Sequence, residues 1–162
     1  MVAHGRDFAE PHMVTGCASL GIAGGNAHTG RVYVDHIAMA GLLFPDDIVA
    51  TLSTGVIVDQ ENVLRIFGTK GHIYVPEPWA PSREGGTSTI YAHVQGENER
   101  RKIAVQTDRW LFAIEADTVA EHIPRRQALW PAMTWDDTLG NMRTLDAWRA
   151  AVGVIYEADR QT

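Results

Sequence analysis

The spacing of apolar residues changes near residue 107, and this change constrains the fold more than any other feature of the sequence. Before that point, apolar residues alternate with polar ones or form short runs bounded by Gly and Pro, a pattern typical of β-strands. After it, they recur at intervals of three and four, which indicates amphipathic helices. Strands followed by helices predict an α+β domain and not an alternating α/β one.

Antiparallel hairpins organise the strand region, which we place at about residues 12–106. The first hairpin turns at Phe44-Pro45-Asp46-Asp47, where Pro takes the second position of a turn. A glycine-rich loop at 21–30 and a Pro- and Gly-rich loop at 76–86 separate the strands. The predicted fold is an open-faced, mainly antiparallel sheet of about six strands with helices on one face. Six or seven strands are predicted, at residues 13–20 (the weakest of them), 32–44, 48–58, 63–67, 72–75, 87–94 and 102–106.

Two helices are predicted at about residues 110–160. The first covers 111–122 and ends at Pro124, and the second begins after Thr134, which forms a variant capping box with Asp137. Gly140 and Gly153 fall inside the second helix, where glycine is costly and indicates close packing. Residues 1–6 resemble the tail of a helix ended by glycine, and we expect one domain over residues 1–162.

Charge and composition exclude several classes of function. The net charge is -6, and the 14 Lys and Arg residues form no dense cluster, so we expect no nucleic-acid partner. The single cysteine, Cys17, allows no intramolecular disulfide and is predicted to be an inert core or strand residue. The sequence contains no apolar run of the roughly 20 residues that span a membrane, and no signal peptide, so a cytoplasmic location without membrane contact is expected.

Few residues suggest a binding site. None of the seven histidines shares a short metal-ligand spacing with another, which predicts no metal site. His28 and His36 flank the glycine-rich loop and are candidates for lining a substrate cleft. Arg65 and Arg143 could meet a ligand or form structural ion pairs, and Trp79 could cover a core or contact a partner.

No catalytic or cofactor-binding residue is predicted. The sequence shows no Ser-His-Asp arrangement and no paired-carboxylate motif. The glycines at 21–30 lead into a strand, whereas a dinucleotide site needs them to open a helix. The glycines at 68–71 sit in a predicted hairpin turn, where a positive φ explains them better than phosphate binding.

Three segments of the sequence carry a family resemblance. Residues 44–50 follow the hairpin-turn pattern Phe-x-x-Gly-x-x-Ala, with Asp47 where glycine is usual. Residues 61–76 follow a strand–turn–strand pattern containing Gly-Thr-x-Gly, and residues 135–149 follow as a closing helix. In this order the three segments resemble the glucose-fructose oxidoreductase / inositol dehydrogenase / rhizopine catabolism (Gfo/Idh/MocA) family, the last of them the closing helix of one branch. The resemblance covers most of the chain, from about residue 10 to residue 156.

This resemblance implies the C-terminal domain of a two-domain enzyme. In that family a Rossmann domain holds NAD or NADP, and the second domain forms a wall of the substrate site and oligomer contacts. The sequence lacks Gly-x-Gly-x-x-Gly in strand–helix context, Glu-Lys-Pro and Asp-x-Gly-x-His, so the family's nucleotide site, catalytic lysine and catalytic histidine have no counterpart. We expect a fragment, a split gene or a misplaced start codon, with the missing Rossmann domain supplied in cis or in trans.

Three functional hypotheses follow. The first is the C-terminal domain of an NAD(P)-dependent oxidoreductase acting on a sugar or polyol, inactive and without cofactor when alone. The second is a non-catalytic oligomerisation or ligand-binding module that forms a homo-oligomer through its open sheet face. The third is a carrier of a small ligand, which would require a closed apolar cavity between sheet and helices.

Overall fold

The computed structural model describes residues 10–24 and 32–156 and confirms the α+β class. The predicted helix tail at residues 1–6 lies outside the described residues. No helix among the described residues has the length and apolar character needed to cross a bilayer. The strands are β1 (Met13–Gly24), β2 (Val32–Leu43), β3 (Val49–Gly55), β4 (Val63–Gly68), β5 (Gly71–Pro76), β6 (Gly86–Val94) and β7 (Arg101–Thr107). The helices are α1 (Leu111–His122) and α2 (Trp135–Val152).

The strands form two antiparallel sheets where the sequence predicts one. One sheet has the order β1-β2-β3 and the other has the order β4-β5-β6-β7. The chain divides accordingly into two compact units. The first unit takes its described residues from Met1–Gln60 and Leu129–Thr162, and the second comprises Glu61–Ala128. Whether the chain acts as one domain stays a prediction.

The first sheet places small side chains on the face that receives α2. Residues opposite each other in an antiparallel pair share a face, and the register pairs Gly16 with Ala40 and Ala18 with Ala38. Ala38, Ala40 and Leu42 are buried, whereas Cys17, on the opposite face of β1, is exposed. Cys17 is therefore a strand residue outside the core.

Gly16 lets α2 approach β1 closely. A Cβ at this position would overlap the carbonyl oxygen of Met39 and lie 3.0 Å from Cγ1 of Val152. Nearby, Nε1 of Trp148 donates a hydrogen bond of 3.1 Å to the same Met39 oxygen. The indole N–H of Trp148 thus joins α2 to β2, and the missing side chain of Gly16 on β1 leaves room for this contact.

The first hairpin confirms the predicted turn and explains its departure from the family pattern. Leu43 pairs with Val49 across a short 3-10 turn at Pro45–Asp47. Asp47 has a φ of 58°, in the left-handed region where glycine carries no steric cost. Asp is one of the few other residues that tolerate this conformation, because its short side chain can bond locally.

Two predicted boundaries in this sheet are wrong. Gly21–Gly24 continue β1 and pair with β2, although the sequence suggested that a loop begins there; residues 25–30 of that loop lie outside the described residues. The ring of His36 on β2 occupies the space that a Cβ on Gly21 would fill, so this ring packs where Gly21 has no side chain of its own. β3 ends at Gly55 and not at Val58, because the chain bends after Gly55.

Both ends of α2 follow local rules of helix capping. Thr134 and Asp137 form the predicted capping box, with Oγ1 of Thr134 accepting a bond of 3.2 Å from the amide of Asp137. Gly153 is the C-cap, with a φ of 70°, and not an interior residue as predicted. Gly140 is buried within the helix, which confirms close packing at that position.

The second sheet has two chemically different faces. The register pairs Ile66 with Ile73 and Ile90 with Ile103, so apolar side chains collect on one side. We call this side the apolar face; its aliphatic residues are Leu64, Ile66, Ile73, Val75, Ile90, Ala92, Val94, Ile103 and Val105, and Ser88 and Arg101 share it. The other side, the aromatic face, carries Arg65, Phe67, His72, Tyr74, Tyr91 and His93, and β7 adds Lys102 beside Tyr91.

Helix α1 begins against the loop that precedes β6. The amide of Leu111 donates a hydrogen bond of 3.0 Å to the carbonyl oxygen of Arg83. The Arg83 guanidinium lies 5.3 Å from the centre of the Phe112 ring, in cation–π geometry. These two contacts fix the first turn of α1 within the second unit.

We predict that Gly16→Ala lowers the free energy of unfolding by about 1–3 kcal/mol, the usual cost of overpacking. The new methyl group would displace the Met39 carbonyl and separate α2 from β1. Urea titration followed by circular dichroism measures the change. Gly41→Ala is the control, because its Cβ would meet only the movable hydroxyl of Thr15, at 3.2 Å. Equal stability of the two variants would contradict close packing at Gly16.

Candidate functional site

The aromatic face carries the most concentrated polar chemistry of the second unit. Its first row crosses β4, β5 and β6 through Arg65, Tyr74 and Tyr91, which are paired in direct register. The Arg65 guanidinium carbon lies 5.5 Å from the centre of the Tyr74 ring, and the two tyrosine rings are 6.1 Å apart. The two rings are tilted by 31° to each other, and the row has a cation at each end, because Lys102 on β7 pairs with Tyr91.

Glu61, just before β4, ties the row together. Its Oε2 accepts a bond of 3.0 Å from Nη2 of Arg65, and its Oε1 accepts one of 3.3 Å from the Tyr74 hydroxyl. The ion pair is more than half exposed on both sides, so it adds little to stability. The ion pair matters for position, because the Glu61 carboxylate holds both the Arg65 guanidinium and the Tyr74 hydroxyl in place over the sheet.

This arrangement favours the protonated form of Tyr74. Loss of hydration raises the pKa of the Tyr74 hydroxyl above its ordinary value, and the Glu61 carboxylate raises it further through its charge and its hydrogen bond. Arg65 acts in the opposite direction with a smaller effect. Glu61, Arg65 and Tyr74 together offer a hydrogen-bond acceptor, a guanidinium donor and a hydroxyl.

A second row runs parallel to the first, through Phe67, His72 and His93. The ring centres of Phe67 and His72 are 5.9 Å apart, and those of His72 and His93 are 5.0 Å apart. The second row borders an open cavity of about 270 Å³. The residues around that cavity are Phe67, Gly68, Gly71, His72, His93, Gln95 and Gly96.

The five candidates suggested by the sequence do not lie together on one unit. Arg65 is on the aromatic face, and Trp79, also in the second unit, has a side chain that is 78% exposed in its loop. His36 packs over Gly21 in the first unit. Arg143 is on α2, where it forms an ion pair of 2.7 Å with Glu10. His28 lies outside the described residues.

The sequence did not identify Tyr74, nor the proximity of His72 and His93. The turn at residues 68–71 predicts that Phe67 faces His72, but the loop at 76–86 hides the register between β5 and β6. Among the described residues, no group of three or more His, Cys, Asp or Glu side chains is placed to hold a metal ion.

We predict that Glu61→Gln lowers the pKa of Tyr74 toward its ordinary value of about 10, because the variant removes a negative charge beside the phenol. In the native protein this raised pKa contributes stability that is complete below the unfolded-chain value and is lost as pH rises through the folded one. NMR titration of tyrosine ring carbons at alkaline pH, assigned with Tyr74→Phe, measures the change. Glu99→Gln, an exposed carboxylate in another turn, should leave this titration unaltered.

Comparison with known proteins gives the fold a context. Neither protein-family models nor curated proteins match the sequence. Among solved structures, the chain is similar to an aldose-aldose oxidoreductase from Caulobacter crescentus complexed with glycerol, with 25% identity and a TM-score of 0.66. The match covers 90% of this chain and 40% of that one.

A second similarity is to the UDP-N-acetylglucosamine 3-dehydrogenase GnnA from Acidithiobacillus ferrooxidans, in two crystal forms. Both show 21% identity, with TM-scores of 0.57 and 0.56. The matches cover 89% and 93% of this chain but only 41% and 42% of the enzyme. The chain thus spans about two fifths of these structures, and it has the fold of the C-terminal domain of Gfo/Idh/MocA-type oxidoreductases, as its sequence resemblance implies.

Proposed function

We propose that this chain is the substrate-side domain of an NAD(P)-dependent oxidoreductase that acts on a sugar or polyol. The observation that carries the proposal is the match to the aldose-aldose oxidoreductase, which covers nine tenths of this chain but 40% of the neighbour. The domain would form one wall of the substrate site and contribute contacts between subunits. A nucleotide-binding domain, in cis or in trans, would complete the enzyme.

The chemistry of the aromatic face suits a polyhydroxylated substrate. Glu61 can accept hydrogen bonds from hydroxyl groups, and the unbonded N–H groups of Arg65 can donate to them. The flat rings of Tyr74 and Tyr91 offer an apolar surface for the carbon side of a sugar ring. Sugars need both kinds of surface, since their hydroxyls alternate with C–H groups.

The described residues do not fit a dinucleotide. Pyrophosphate binding needs a glycine-rich turn that opens a helix with free amide groups. Here Gly21–Gly24 pair within a sheet, the first amide of α1 donates to Arg83, and the first turn of α2 is capped by Thr134 and Asp137. We therefore assign no step of hydride transfer to these residues and place the cofactor on the other domain.

We predict no turnover when the isolated chain is mixed with NADH or NADPH and a panel of sugars. A chimera that replaces the matched 40% of the aldose-aldose oxidoreductase with this chain should restore nicotinamide oxidation or reduction with at least one sugar. Absorbance of the reduced nicotinamide measures both. A chimera carrying Arg65→Ala is the matched comparison, and we expect its KM to rise by about tenfold, consistent with one lost charged hydrogen bond. Turnover by the isolated chain would refute the proposal.

The apolar face supports a second element of the proposal, a homo-oligomer formed through this surface. Ile66, Ile103 and Val105 are 45%, 48% and 52% exposed, so the isolated sheet leaves them in water. Contiguous apolar surface of this kind on a protein usually marks a contact site. A second copy offers the same face, and a two-fold contact would cover both at once.

We predict a dimer by light scattering for the native chain, and a monomer for Ile66→Glu and Ile103→Glu. Each substitution would bury a charge in the proposed contact, which is costly without a partner. Gln106→Glu on the opposite side of β7 is the control and should remain dimeric, since it adds the same charge outside the apolar face. A native monomer at high concentration would exclude pairing through this face.

A further inference from the structure

Two imidazoles lie next to each other on the aromatic face. His72 on β5 and His93 on β6 are paired directly across the antiparallel ladder. Their ring centres are 5.0 Å apart, with the ring planes tilted by 33°. Because the sheet backbone fixes the distance between opposite Cβ atoms at about 4.5–5.5 Å, both rings project from a preset separation into the same space.

The surroundings of this pair are open on one side, and Gln95 is the one polar side chain of the cavity lining besides the two histidines. Gly68, Gly71 and Gly96 border the cavity of about 270 Å³ beside the imidazoles. Gly71 has a φ of 145°, and a Cβ there would overlap the carbonyl oxygen of His93, so no larger residue fits this edge. Both histidines are half-buried, which limits the freedom of their rings while leaving access to the cavity.

The ligand chemistry favours a transition metal over an anion or a sugar. The cavity lining contains no Lys or Arg, so it lacks the fixed charge that would hold a phosphate or carboxylate. Imidazole nitrogens are preferred ligands of Zn²⁺, Cu²⁺ and Ni²⁺. Two imidazoles on one tetrahedral Zn²⁺, with Zn–N distances of about 2.0–2.1 Å, have ring centres roughly 5 Å apart. The observed separation matches this value.

We propose that His72 and His93 form a two-histidine binding site for a divalent transition metal, with Zn²⁺ as the reference ion. Water would fill the remaining coordination positions, because Glu97, the nearby carboxylate, is held by Arg101 through both of its oxygens. The site is independent of the proposed oxidoreductase function. A short ligand spacing in the sequence could not reveal this site, because His72 lies in the β4–β5 hairpin and His93 in the β6–β7 hairpin.

The test is a calorimetric titration of the full chain with ZnCl₂, comparing His72→Gln, His93→Gln and the control His12→Gln. His12 precedes β1 in the other unit, so its loss should not alter the site. We expect one Zn²⁺ per chain, and a weakening of more than about tenfold in each of the two variants, at least the loss that outer-shell changes typically cause. Circular dichroism verifies that each variant folds.

A second measurement needs no variant. Nitrogen NMR of the native protein should show that Zn²⁺ shifts ring nitrogens of His72 and His93 together, at the same metal concentration. Absence of Zn²⁺ binding, binding that survives in either variant, or shifts confined to other histidines would overturn the proposal. Because the chimera assay does not depend on these residues, failure here leaves the oxidoreductase proposal standing.

Discussion

Antiparallel pairing is the constraint on which the rest of this structure depends. Once the register is set, each residue and the one opposite it must share a face, and neighbours along the strand must take the other face. In the first sheet this places Gly16, Ala38 and Ala40 under α2. In the second it separates a row of aliphatic side chains from two rows of rings. A slip of one residue would exchange those faces, so the register determines the chemistry as well as the packing.

Burial is distributed unevenly in the protein. Among the described residues, the buried apolar side chains are Ala38, Ala40, Leu42 and Val154, all in the first unit. Small side chains contribute little apolar area each, so packing of α2 on this sheet depends on its close approach to β1 and on the Trp148 hydrogen bond to β2. Exposed apolar side chains occur in both units, for example Met39 and Val49 in the first and Ile66 in the second.

The sequence predicted those features that local rules determine. Periodicity placed the strands and both helices, the Thr134–Asp137 spacing predicted a capping box, and Phe44-Pro45-Asp46-Asp47 predicted the first turn. It failed where a distant partner decides the outcome. Gly21–Gly24 form strand because β2 pairs with them and the His36 ring packs against Gly21, a compensation that no local pattern reveals.

The candidate site shows the same division. Arg65 was identifiable as a charge on a strand, but its connection with Glu61 and Tyr74 depends on the β4–β5 register. His72 and His93 are brought together only by the β5–β6 pairing, which crosses the long loop between those strands. The sequence predicted one sheet because a hairpin signal shows only which two strands are paired. It does not show whether one hairpin pairs with the next, and here the strands divide into two sheets.

The path of the chain through the two units has a consequence for biosynthesis. Met39 and Trp148 form a hydrogen bond, yet the whole second unit is encoded between them. During translation, which proceeds at about 5–20 residues per second, the first three strands leave the ribosome well before α2 exists. Their small-residue face must stay uncovered for several seconds while β4–β7 emerge and pair. Nascent chains of this protein are therefore most vulnerable to chaperone capture or misassociation at that stage, and they become protected only when the last helix arrives.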